Sequence, residues 1–147
     1  MYLVGTNVIS EARKGARANP GVLSFFAGDQ SPDCYLSVQT MGELRRGIEN
    51  IRKRGDHPQA RRLDAWLALV SHDYADRLLG FDDECAQIWG YLMSPDPSHP
   101  IDKQIAAIAL SYDWRSSHAM SATSRQPVSN CSIRFIEASA KTRMLLL

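Results

Sequence analysis

Apolar and polar positions follow two rhythms along this chain, and the rhythms predict its elements. Tyr2-Leu3-Val4 is a short apolar run suited to a buried strand. Gly5-Thr6-Asn7 is a turn or cap signal, and Val8 to Lys14 reads as a short helix stopped by Gly15, with basic residues in its last turn. Pro20 to Phe26 places Val22, Leu23 and Phe26 on one side of a further turn or two of helix. Cys34 to Val38 reads as a second strand. Beyond Thr40, Leu44, Ile48 and Ile51 recur at helical spacing, with Arg45, Arg46, Arg52 and Lys53 mostly off that face. Gly55 to Pro58 breaks the pattern. Residues 59–70 resume it, with Leu63, Trp66, Leu67 and Val70 on one side and Arg61, Arg62 and Asp64 on the other. Leu78 to Phe81 predicts a short strand, and Asp82 a cap for a helix through Cys85, Ile88, Trp89 and Leu92. Pro95, Pro97 and Pro100 mark a loop. Asp102 then opens a helix with Ile105, Ile108, Ala109 and Tyr112 on one face.

Short strands alternating with helices predict an α/β domain with a parallel central sheet flanked by helices. After Trp114 the pattern fails. Residues 115–132 hold six serines and neither period, although Arg134 to Glu137 could be extended. The expected division is a domain over 1–114 and a disordered tail over 115–147.

Composition narrows the class. The 147 residues suffice for one domain with a proper core, and 44% hydrophobic with 22% charged residues is ordinary for a soluble globular chain. No apolar run approaches the roughly 20 residues of a spanning helix, and the N-terminus has no secretory-signal pattern. Cys34, Cys85 and Cys131 are sparse and without metal spacing, which predicts reduced thiols in a cytoplasm. The net charge of +1 conceals two unlike parts: 1–114 has twelve Lys and Arg against fifteen Asp and Glu, or −3, while 115–147 has five against one, or +4.

Two acids stand out by position. Glu43 begins a helix directly after a strand, and Asp102 begins one after a Pro-rich loop. In parallel α/β domains such helix starts lie near the carboxyl ends of strands, where sites form. Carboxylates gathered there can hold Mg²⁺ or Mn²⁺ and activate water. Both acids also have a plainer reading, which spacing alone favours. Thr40-x-x-Glu43 fits a capping box, and Asp102 fits an N-cap. The four histidines have no zinc spacing, and no Gly-rich phosphate loop or Gly-x-Ser-x-Gly turn is present.

Several stretches in series carry a family resemblance. Residues 2–11, Tyr-Leu-Val-Gly-Thr-Asn-Val-Ile-Ser-Glu, resemble the opening Y-L-L-D-T-N-V-I-S-E of the VapC-type PIN-domain ribonucleases of toxin–antitoxin pairs. Ser37 to Ile48 is similar to their second motif, and Pro100 to Leu110 to their third. Arg61 to Leu67 and Phe81-Asp82 are also family-like. The resemblance covers residues 1 to about 114 in order. It implies a PIN-like fold and a metal-dependent endoribonuclease using Mg²⁺ or Mn²⁺, with RNA as substrate and a cognate VapB-like antitoxin as partner. The resemblance also allows for a homodimer, and no membrane partner is expected. Glu43 and Asp102 match catalytic metal ligands, while Thr6 and Asn7 match positions that support the site by hydrogen bonds.

Two departures follow. Gly5 occupies the position of the family's first aspartate, a core metal ligand, so metal binding should be weakened. The second departure is the C-terminus, where the family's strand, T-R-N-x-x-D-F segment and final strand are absent after Trp114. Back-translated with permitted codons and read from the third base of the Arg115 codon, Arg115 to Glu137 can spell VVTRNVSDFAATGVQLLNPFH and a stop. That string is the missing ending, which points to a frame change beside the Trp114 codon. The expectation is a PIN-like domain lacking its C-terminal strands and impaired in cleavage. The alternatives are a catalytically dead antitoxin-binding module and a pseudogene product without a role. For the module, the helices bearing Leu44, Ile48, Trp66 and Leu67 could supply a groove or dimer face.

Overall fold

A computed structural model of the chain describes residues 2–27, 34–123 and 134–136, with side chains through residue 112. The elements run β1 (Tyr2–Val4), α1 (Thr6–Ala12), α2 (Pro20–Ala27), β2 (Cys34–Ser37), α3 (Val38–Lys53), α4 (His57–Asp73), β3 (Leu78–Leu79), α5 (Asp83–Met93), α6 (Pro100–Thr123) and β4 (Arg134–Ile136). Among the described residues the strands form one sheet in the order β3-β2-β1-β4, and each pairing is parallel. Register places Leu3 beside Tyr35 on one side and Phe135 on the other.

Alternation along the strands builds a core on each face of this sheet, since successive side chains point to opposite sides. Val4, Cys34 and Leu36 face one way and pack with Val8, Ile9, Leu44, Ile48, Leu63, Leu67 and Val70 from α1, α3 and α4. Leu3 and Leu79 face the other way and pack with Cys85, Ile105, Ile108 and Ala109 from α5 and α6. Both faces are covered, the usual condition of a parallel sheet.

The predicted elements are present, and the ends of several differ. Strand β2 stops at Ser37 because Ser37 caps α3: its Oγ accepts from the Thr40 N–H at 3.0 Å. Asp56 caps α4 in the same way, accepting from Gln59 N at 3.0 Å, so Pro58 lies in the first turn rather than ahead of the helix. Asp82 caps α5 as expected, accepting from Cys85 N at 3.1 Å. Gly15 follows α1 with φ +56°, the left-handed conformation that glycine takes without steric cost. At the other end of the chain, α6 continues past Trp114 to Thr123, across the boundary expected at 114. Propagating an established helix needs far less than nucleating one, so loss of periodicity need not end it. Beyond Trp114 the sheet gains one strand, β4, from the stretch expected to be extended. The rest of the proposed tail, residues 124–133 and 137–147, lies outside the described residues. Among the described residues no helix is long and apolar enough to cross a membrane.

Candidate functional site

Strand order fixes where a site can form. The chain steps from β1 to β2 to β3 on one side, then returns to place β4 on the other side of β1. Strand direction of travel therefore reverses at β1, and in open α/β sheets the crevice at the carboxyl ends beside such a reversal takes ligands. Gly5 and Thr6 stand at the carboxyl end of β1, and Ser37 at that of β2.

Glu43 is brought to this edge by α3. Because Ser37 caps the helix, Thr40 lies in its first turn and Glu43 in its second. The capping-box reading of Thr40 and Glu43 is thereby overturned. Glu43 is half-buried and accepts a hydrogen bond from Thr6 Oγ1 at 2.5 Å, across 37 positions of sequence. Thr6 and Glu43, which the motifs assigned to one site, are thus in direct contact. Asn7 is exposed and makes no corresponding bond among the described residues.

Asp102 sits in the first turn of α6, which begins at Pro100, and so is not the N-cap expected from sequence. Its side chain is 44% exposed, and its Oδ2 lies 3.6 Å from Nδ1 of His99. His99 has φ +53°, a left-handed conformation that is strained for a residue with a Cβ. The loop ahead of α6 is tied down by Lys103. Its buried ammonium donates to the Asp96 carbonyl and lies 3.2 Å from the Asp96 carboxylate. Donation from Ser98 Oγ at 2.6 Å and Ser98 N at 3.0 Å, joined by Lys103, holds the Asp96 carboxyl down to about 2. None of these loop contacts was legible in the sequence.

Gly5 is buried at the N-cap of α1 with φ −78° and ψ 163°. Any L-residue adopts that extended backbone, so nothing in the main chain requires glycine there. Position 5 itself supplies no side-chain oxygen. The donor set therefore does not fit a complete Mg²⁺ or Mn²⁺ centre: among the described residues no group of three His, Cys, Asp or Glu could hold a metal ion. In the first turn of α3, Gln39 Oε1 is buried without a partner among the described residues.

Known proteins place this architecture. No family model matches the chain, and no curated protein matches it. A solved structure does: FitAcB from Neisseria gonorrhoeae is 30% identical, superposes with a TM-score of 0.65, and covers 76% of this chain and 82% of its own. A structure of FitAB bound to an IR36 DNA fragment is 29% identical with a TM-score of 0.54, over 77% of this chain and 80% of that one. The chain belongs to the VapC-like PIN-domain toxins. As a PIN toxin of a toxin–antitoxin pair it has a parallel sheet between two helical layers, and position 5 carries no acid.

The PIN fold also holds a basic feature that sequence reading missed. A cavity of about 310 Å³ is lined by Arg13, Gln59, Arg62, Leu63 and Trp66. The signal was present, because 59, 62, 63 and 66 share one face of α4. Trp66 had instead been assigned to the apolar face and Arg62 to the opposite one.

Proposed function

We propose that this chain descends from metal-dependent endoribonucleases of toxin–antitoxin pairs and is impaired in cleavage as it stands. One observation carries the reading. A threonine-supported carboxylate, Glu43, stands at the carboxyl end of β1, beside a buried glycine whose backbone would accept an aspartate. Glu43 and Asp102 are the acids assigned to a Mg²⁺ or Mn²⁺ site, and loss of the acid at position 5 removes a charged oxygen ligand from a small set. RNA is the assigned substrate class, and a cognate VapB-like antitoxin the assigned partner. FitAB is the neighbour that suggests such a pairing.

Mn²⁺ titration and RNA cleavage test this together. The chain as it stands should bind Mn²⁺ weakly and cleave little or no RNA. Gly5→Asp should tighten Mn²⁺ binding by at least tenfold, and cleavage should return only when the shifted-frame ending is also supplied. Full Mn²⁺-dependent cleavage by the unaltered chain would overturn the proposal. A second reading, an antitoxin-binding module without catalysis, is favoured by the contrast between a well-built α1–α4 layer and an incomplete donor set. Retention of a cognate antitoxin by a chain that cleaves no RNA even with Gly5→Asp and the restored ending would select it.

A further inference from the structure

The cavity between α1 and α4 lies outside the acidic site. Thr6 and Arg13 stand at opposite ends of α1, which at 1.5 Å per residue separates them by roughly 10 Å. Its walls combine two chemistries. Arg13 and Arg62 supply guanidinium groups, and both are exposed residues with no carboxylate paired to them among the described residues. Trp66 is half-buried and lies 5.6 Å under the Arg13 guanidinium carbon, a cation–π arrangement that holds Arg13 in place. Leu63 adds a buried apolar contact, and Gln59 an amide with both donor and acceptor.

The surroundings carry more cations than acids, and the acids near the lining in sequence are each engaged, Asp56 accepting from the Gln59 N–H at 3.0 Å. Glu11, the acid on α1, is already bound by Lys14 at 2.5 Å and by the Asn19 N–H at 2.9 Å. Residues 1–62 hold ten Lys and Arg against six Asp and Glu, whereas 63–114 hold two against nine. Lys14, Arg17 and Arg61 are exposed beside the lining residues in sequence. The platform is also fixed from behind, because Asp64 on α4 takes Arg45 of α3 at 2.5 Å and Arg52 as well.

We propose that this cleft is a subsite for single-stranded RNA, with a base stacked on the Arg13 guanidinium that Trp66 supports from beneath and phosphates held by Arg62 and the edge of Arg13. Flat indole and guanidinium surfaces stack bases, and guanidinium forks hold phosphate oxygens. Gln59 is placed to bond a base edge. An acidic peptide would use the two arginines but leave the stacking surfaces without a counterpart, so the combination favours nucleic acid. The roughly 10 Å to the Thr6 end would let one strand engage both ends of α1. The choice of RNA rests on the ribonuclease reading. The test below measures binding without metal, so its failure is separable from failure of cleavage.

Binding of a fluorescein-labelled twelve-residue oligouridylate to the full chain in EDTA, read by polarisation at several salt concentrations, tests the subsite. Arg13→Gln and Arg62→Gln should each weaken binding about three- to tenfold and lower the salt slope by about 0.7. Trp66→Leu should weaken it about fivefold or more while leaving the salt slope unchanged. Arg77→Gln, beyond the far end of α4, should change nothing, and circular dichroism should show every variant folded. Four results would overturn the proposal. One is an unchanged affinity in the Arg13→Gln, Arg62→Gln double variant, and a second is no binding by the unaltered chain. Another is displacement of the RNA by a polyglutamate peptide of equal charge, which would mark an acidic-protein site. The last is equal binding of duplex DNA, which offers no exposed base to stack.

Discussion

The two faces of the sheet differ in how firmly they present what they carry. On the α1–α4 face a large buried cluster is reinforced by Asp64, which ties α3 to α4 through Arg45 and Arg52. That face delivers Glu43 half-buried, with a 2.5 Å bond from Thr6. On the α5–α6 face the buried cluster is smaller, and Asp102 is delivered with its side chain 44% exposed and His99 at 3.6 Å. The proposed site would take one acid from each face, and between them β1 leads into Gly5, which carries no acid. The lesson is that one scaffold anchors one of these two acids and leaves the other largely to solvent.

The largest test of this contrast is in the cores. Leu36→Ala and Ile108→Ala each empty a position with 0% exposure, and each should cost about 2–5 kcal/mol of stability in urea denaturation, with Leu36 at the upper end. A greater loss at Ile108 would reverse the ranking of the faces. Next in size is the acid pair. Thr6→Val should cost about 1 kcal/mol by removing the bond to Glu43, whereas Asp102→Asn should change stability by less than about 0.5 kcal/mol. Equal effects would show both acids to be equally anchored. Asp64→Asn should cost about 1 kcal/mol and less in high salt, since its partners are partly exposed.

The smallest effect concerns the loop before α6. The folded Asp96 carboxyl is depressed to about 2 from its ordinary 3.8. A depressed acid contributes stability above its unfolded value and loses it as pH falls through the folded one. The bonds that the Asp96 carboxylate accepts from Ser98, and then from Lys103, should therefore be fully present above about pH 4 and fade towards pH 2. NMR titration of the Asp96 carboxyl checks this, and a midpoint near 3.8 would sink it.

Much of the fold was legible because it rests on local rules. Leu44 and Ile48 repeat at helical spacing and are buried, as are Ile105, Ile108 and Ala109. The Asp82 cap was equally readable, since its partner is three residues away. The plainer readings of the two acids were not reliable, for the same reason in both cases. A capping box at Thr40 was consistent with spacing, and only the true helix start at Ser37 excluded it. Asp102 looked like a cap because the turn before it, from Pro100, is not apolar enough to announce a helix. The face of α4 that carries 59, 62, 63 and 66 was readable, but Arg13 caps the end of α1, so that face alone could not reveal what stands opposite Trp66.

By itself the sequence determined the alternation of strands and helices, the two apolar faces, the absence of an acid at position 5 and the family motifs. Each is written in residue identity or in spacings of a few positions. Tertiary structure alone decided that Glu43 bonds Thr6, that Lys103 grips Asp96 in the loop, and that Arg13 meets Trp66. These contacts join different elements, and their geometry is set by how helices pack on the sheet. The Thr6–Glu43 bond spans 37 positions, a distance over which no periodicity of three or four residues carries information.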